Sequence, residues 1–265
     1  MFEYEFMQNA MILILIISPL FGLLSTMVLN NRLAYFSDAL GHSAYLGIGI
    51  GLLLGIATNN VLPVVIFSVL FAVLLVIIKR RYGEAPDTVI GIIASISVAV
   101  GIIILTGFGG LQKFSQLLVG DILLVAQNQL LPLAILAIIL IIIFLLIYKK
   151  LVLISVDESL AKSKNISPVL YEIIFTSMVA ITVAMSINIV GILLVSALFI
   201  LPGAISKMIS KNMKQYIIIS TISCIILSVI GLIVSYYFSI PTGASIVVCL
   251  GIVYIMTLLL VSFKR

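Results

Sequence analysis

Long apolar runs separated by short polar breaks cover most of the chain. Six are unambiguous: residues 11–29, 61–78, 88–106, 130–148, 216–237 and 243–262. Each is close to the ~20 residues a helix needs to cross a hydrocarbon core of about 30 Å. Residues 35–57 form a seventh, less apolar run, interrupted by Asp38 and His42. The stretch 172–206 is too long for one span, because 35 residues of helix would measure roughly 52 Å. Its softest point is Ser186-Ile187-Asn188-Ile189-Val190-Gly191. Two short passes, or one pass with a re-entrant return, fit it.

Charge orients these runs. Arg32, Lys79-Arg80-Arg81, Lys149-Lys150, Lys162, Lys164, Lys207, Lys211, Lys214 and Lys264-Arg265 all fall between or after spans, and basic loops stay on the cytoplasmic side. Placing every cluster there requires two crossings between Lys164 and Lys207, and nine passes in all, N-terminus outside and C-terminus inside. Eight passes follow if a weak segment does not cross. Lys113 alone is then external. Residues 107–129 form an external segment whose apolar centre, Leu117 to Leu124, lies against or dips into the bilayer.

Composition agrees. Hydrophobic residues make up 63% of the 265 and charged residues 9%, against roughly 25% charged in soluble domains. The chain is expected to be a single all-α, polytopic membrane domain, 1–265. The net charge of +5 belongs to the loops and implies no nucleic-acid partner. Cys224 and Cys249 stand apart in apolar runs, without metal-type spacing. The acidic start, Met1-Phe2-Glu3-Tyr4-Glu5, is unlike a cleaved signal peptide, so the first run is expected to be retained.

Three features carry candidate chemistry. Asp38 and His42, the lone histidine, are four residues apart and share a helical face. Ionisable groups within a span usually mark a path for ions, and carboxylate with neutral imidazole suits a transition metal. Gly47, Gly51 and Gly55 recur every four residues on the same helix, where small residues admit a close neighbour. The third is the polar loop of residues 149–171, which reads as a short capped helix. Ser155 and Glu158 form a capping box, Asp157 and Glu158 lie in the first turn, and Lys162 and Lys164 in the last. Asn165 suits a left-handed closing position, and Pro168 ends the run.

Arg32-Leu33-Ala34-Tyr35-Phe36-Ser37-Asp38-Ala39-Leu40-Gly41-His42-Ser43 resembles the second-helix motif of bacterial metal-uptake ABC permeases of the zinc and manganese type. Val156-Asp157-Glu158-Ser159-Leu160-Ala161-Lys162 is similar to their cytoplasmic coupling segment, and Val190 to Pro202 to the run that follows. Asp87-Thr88-Val89-Ile90-Gly91, Gly120-Asp121-Ile122-Leu123 and Ile240-Pro241-Thr242-Gly243 fit as well. The resemblance implies a type II ABC-importer permease in the bacterial cytoplasmic membrane, working as a homodimer. It implies Asp38 and His42 on the metal path, and no permanently bound cofactor. It also implies an ATP-binding subunit docked on Asp157, Glu158, Leu160, Ala161, Lys162 and Asn165, and an extracytoplasmic metal-binding protein. Gly41 stands where many relatives carry serine, and Asn165 where glycine is usual. Tyr45-Leu46-Gly47 replaces the Leu-Pro-Gly of manganese-type relatives, which leans toward zinc.

Other classes fare less well. No Gly-x-x-x-x-Gly-Lys-Ser/Thr phosphate loop is present, so energy must come from a partner's ATP hydrolysis or from a gradient. A secondary cation carrier driven by protons or sodium is the alternative, although such carriers often use several intramembrane acids. A non-transporting scaffold would leave Asp38 and His42 without a role. No nucleophile–base set or His-Glu-x-x-His motif supports an enzyme.

Overall fold

The computed structural model describes residues 4–55, 61–83, 85–107, 120 and 122–263. Lys113, Asp121 and most of the expected external segment lie outside the described residues. The described residues form α-helices, one short 3₁₀ turn and no strand. The helices are α1 (Glu5–Asn30), α2 (Phe36–Leu53), α3 (Leu62–Tyr82), α4 (Pro86–Gly107), α5 (Gln127–Val156), α6 (Glu158–Ser163), α7 (Pro168–Val190), α8 (Ile192–Ile209), α9 (Met213–Phe238) and α10 (Thr242–Ser262). The 3₁₀ turn is Ile122–Leu124. The chain is thus an all-α polytopic membrane protein. Eight helices are long and apolar enough to cross a membrane, all but α2 and α6.

The 18 residues of α2 rise about 27 Å, close to a bilayer core. Basic clusters at the ends of α1 and α3 share the cytoplasmic side only if α2 crosses between them. The long apolar stretch is two helices rather than one. The break falls at Gly191, whose φ of 84° and ψ of 157° suit glycine and not a residue with a Cβ.

The helices group into two compact units. The first comprises α1, the 3₁₀ turn, the first part of α5, and α8–α10. Here α1 packs on α8 and α9, and α10 packs on both of these. Small residues close the α1–α9 seam: a Cβ on Gly22 would lie 2.7 Å from the Cα of Thr221. Beside it Ser220 Oγ donates to the Gly22 carbonyl at 2.7 Å, and the Ser25 and Ser220 hydroxyls meet at 2.9 Å. Such contacts hold helices together where hydrophobicity cannot, since lipid is as apolar as the helices. Gly120, itself left-handed with φ 52°, lies directly on the backbone of Val190 and Gly191. Asn9 Nδ2 donates to the Val125 carbonyl at 3.4 Å, and Ile122 is buried, so residues around the 3₁₀ turn are pinned to this unit.

The second unit comprises α2–α4, the last part of α5, α6 and nearly all of α7. Phe36 meets Phe71, Gly47 faces Val64 and Gly51 faces Pro63, so α2 and α3 are antiparallel. Residues 45 and 46 of α2 face Gly101 of α4, and Gly49 faces Ile104, so α2 and α4 are parallel. Gly55 lies beyond the end of α2 with φ 69°, and among the described residues nothing lies within 4 Å of a Cβ placed on it. Its N–H caps the Leu52 carbonyl at 3.1 Å; it closes the helix and takes no part in the contact with α3.

The α2–α4 approach depends on Gly101, because a Cβ there would lie 2.6 Å from the Leu46 nitrogen and 2.8 Å from the Tyr45 carbonyl carbon. Gly101→Ala is expected to cost about 1–3 kcal/mol by overpacking, read as a lower thermal midpoint of the solubilised protein. Gly251→Ala, with open space around it, is expected to leave that midpoint unchanged or slightly raised.

Candidate functional site

The second unit holds both sequence-predicted clusters. Asp38 lies in the first turn of α2, and His42 follows one turn later. The Asp38 Oδ2 and His42 Nε2 atoms are 3.8 Å apart, with side chains 50% and 48% exposed. Both line a cleft of about 600 Å³ between α2 and α4. The cleft exists because Gly101 and Gly49 bring the far halves of α2 and α4 into contact, while Gly91, Ala94, Ser95 and Ala99 leave space beside the two side chains.

Asp87, in the first turn of α4, lines the same cleft. Nothing in its local sequence pairs it with residues on another helix. The three do not converge into one tight cage: among the described residues, no group of three or more His, Cys, Asp or Glu side chains is placed to hold an ion. The arrangement offers one nitrogen–oxygen pair with a further carboxylate along the wall.

The polar loop folds as α6, six residues long. Its cap is Asp157, not Ser155. Asp157 Oδ1 accepts from the Ser159 and Leu160 N–H groups at 2.8 and 3.0 Å, whereas Ser155 still belongs to α5 and donates to the Val152 carbonyl. The closing end follows the expected chemistry. Asn165 is left-handed with φ 56°, its N–H donates to the Lys162 carbonyl at 3.0 Å, and the Ile166 N–H reaches back to Ala161 at 3.1 Å. This is the double bond pattern of a Schellman cap. Ala161, expected on the docking surface, is instead fully buried and packs α6 against the unit, while Leu160 on α6 and Val156 at the end of α5 are exposed; α6 is too short to stand alone.

What holds α6 in place was not visible in its own sequence. Arg80, near the end of α3, lies between two carboxylates. Its Nη1 donates to Glu158 Oε1 at 3.0 Å, and its Nε donates to Glu172 Oε2 at 2.7 Å. Lys79 Nζ reaches Glu172 Oε1 at 2.5 Å, and Lys162 Nζ reaches Glu158 Oε1 at 2.9 Å. Five charges on α3, α6 and α7 thus form one network. The hydrogen bond from Lys162 and then the Arg80 guanidinium hold the Glu158 carboxyl below the usual carboxylate range, against the opposing effect of partial burial. Alongside, Lys150 Nζ donates to the Tyr171 hydroxyl at 2.6 Å, tying the end of α5 to the start of α7. Glu172 could have been singled out in the sequence as a lone acid at the start of an apolar run. Such groups are paired or functional by default.

Comparison with known proteins covers nearly the whole chain. The model of the ABC 3 transport family matches residues 3–261. A probable iron transport system membrane protein of Haemophilus influenzae is 29% identical over 97% of this chain and 94% of its own. The high-affinity zinc uptake system membrane protein ZnuB of the same organism is 25% identical over 99% of this chain and 98% of its own. Among solved structures, PsaBC from Streptococcus pneumoniae in complex with Fab superposes with a TM-score of 0.81, at 24% identity, over 96% of this chain and 91% of that one. The chain shares the fold of that structure.

Two outcomes test the network. Glu172→Gln strips the shared counter-charge from Lys79 and Arg80. It is expected to cost roughly 3 kcal/mol, the low end for a broken buried pair because both cations keep some solvent; thermal unfolding measures it. The Glu158 carboxyl has a lowered native pKa, so its contribution to stability is present above the unfolded value and is lost as pH falls through the native one. The thermal midpoint is therefore expected to drop on acidification below about pH 4.5, and to drop less in Glu158→Gln.

Proposed function

Because the chain belongs to the ABC 3 transport family, we propose that it is the permease subunit of an ATP-driven importer for a divalent first-row transition metal, with zinc favoured over manganese. The Asp38–His42 pair on the α2–α4 cleft carries this reading. Zinc bonds to imidazole nitrogen and carboxylate oxygen are about 2.0–2.2 Å long. Two such bonds span up to about 4.2 Å, so atoms 3.8 Å apart can share one ion without moving. Two protein ligands bind weakly, as passage demands: an ion must enter the path and also leave it. Asp87 gives the ion a further carboxylate along the same wall. A nitrogen–oxygen site favours zinc over manganese in the Irving–Williams order, and relatives named for zinc and for iron keep the cargo within that series.

The rest of the machine follows from what this chain lacks and presents. It has no phosphate-binding loop, so hydrolysis belongs to a cytoplasmic ATP-binding partner. That partner docks on α6 and the end of α5, against exposed Leu160 and Val156. Two copies of this chain would frame the path, and an extracytoplasmic metal-binding protein would deliver the ion.

Replacing His42 by Ala removes the nitrogen ligand and leaves α6 untouched. Metal accumulation in cells is expected to fall to the level of cells lacking the chain, while the ATP-binding subunit still copurifies. Undiminished accumulation of both zinc and manganese in that variant would overturn the proposal.

A further inference from the structure

We propose that Arg80 is the positioning residue through which movement of α6 reaches the metal cleft. The inference rests on the importer reading above and adds to it a route within one chain.

The route is short. Arg80 lies two residues before the end of α3, and its guanidinium is the one described group bonded to both α6, through Glu158, and α7, through Glu172. Only residues 83–85 separate α3 from α4. That connection is stiff at both ends. The Gly83 N–H, at φ 67°, donates to the Lys79 carbonyl at 3.1 Å, and the Ala85 carbonyl accepts from Thr88 and Val89 at 3.1 and 3.3 Å. Val89 and Ile90 are buried, so the first turn of α4 moves as one piece. Asp87 belongs to that turn and lines the cleft with Asp38 and His42. A pull on α6 therefore draws Glu158, then Arg80 and the end of α3, and shifts Asp87 along the cleft wall. Glu172 is the fixed post: it is buried and holds Lys79 as well as Arg80.

The network's asymmetry supports this division of roles. Arg80 meets Glu172 through two nitrogens, at 2.6 and 2.7 Å, and Glu158 through one, at 3.0 Å. Glu158 is also the more exposed partner, 40% against 9%. The link to α6 is thus the looser one, suited to making and breaking. Arg81, the neighbouring base, instead sits over the Tyr82 ring at 6.0 Å and touches no carboxylate among the described residues, which makes it a matched control.

The test uses the full complex with its ATP-binding subunit. Ser95 lines the cleft, so Ser95→Cys, in a chain whose Cys249 is replaced by Ala, reports access through its rate of maleimide labelling. With ATP and vanadate against no nucleotide, the rate is expected to change about fivefold or more, the scale of ordinary inter-site coupling. In Arg80→Gln the nucleotide dependence is expected to vanish while the ATP-binding subunit still copurifies. In Arg81→Gln it is expected to persist. Arg80→Lys, which can reach one carboxylate but not fork across two, is expected to restore part of it. A merely structural role would lower stability in Arg80→Gln without erasing the nucleotide dependence of the folded fraction. Persistence of that dependence in Arg80→Gln would overturn the inference alone. Loss of copurification would overturn it too, since Arg80 would then serve docking. A parent cleft indifferent to nucleotide, with the subunit bound, would overturn the importer reading and this inference together.

Discussion

Glu172 sits near the start of a helix that crosses the membrane, with 8% of its surface exposed. A carboxylate in that position is tolerable only when its charge is matched at contact distance, because the desolvation cost of an unpaired ion amounts to several kcal/mol. Lys79 and Arg80 supply the match from α3. The pairing fixes where α3 ends relative to α7, and Arg80 has one nitrogen left to reach α6. The position of a six-residue helix that could not persist alone therefore derives from an ion pair between two others. This end of the second unit is organised around that one buried charge.

The cleft rests on a different constraint. The parallel helices α2 and α4 touch where glycine removes the side chain, at Gly101 and Gly49. They leave a gap nearer their starts, where Asp38, His42 and Asp87 reside. Close contact in one half of a helix pair creates the opening in the other. The Asp38 and His42 side chains there are half exposed, so the opening leaves both within reach of solvent.

Features set by neighbours in sequence were readable from sequence. The spans follow from apolar run length. The break at Gly191 follows from a stretch too long for one bilayer crossing. The left-handed Asn165 follows from cap chemistry, and the Asp38–His42 approach from helical spacing. Features set by partners far along the chain were not. Glu172 and Arg80 are 92 residues apart, and nothing local in Lys79-Arg80-Arg81 distinguishes an ion-pair donor from an ordinary basic loop. Asp87 reads as a helix-start acid until α4 is laid beside α2. The cap of α6 went to Asp157 and not Ser155 because α5 continues to Val156, three residues further than the lysines at 149 and 150 would suggest once a turn is allowed for. Gly55 continued a numerical repeat after the helix carrying it had ended.

One closure in the first unit involves no side chains at all. Gly120 and Gly191 meet backbone to backbone, so closely that a Cβ on Gly120 would run into the Gly191 nitrogen, and Gly191 adds a φ of 84° and ψ of 157° that suit glycine alone. A seal of bare peptide presents nothing to protonate, oxidise or chelate. Acid, oxidants and free metal in the surroundings therefore have no handle on that joint. The five-charge network of the second unit is by contrast open to changes in salt and acidity.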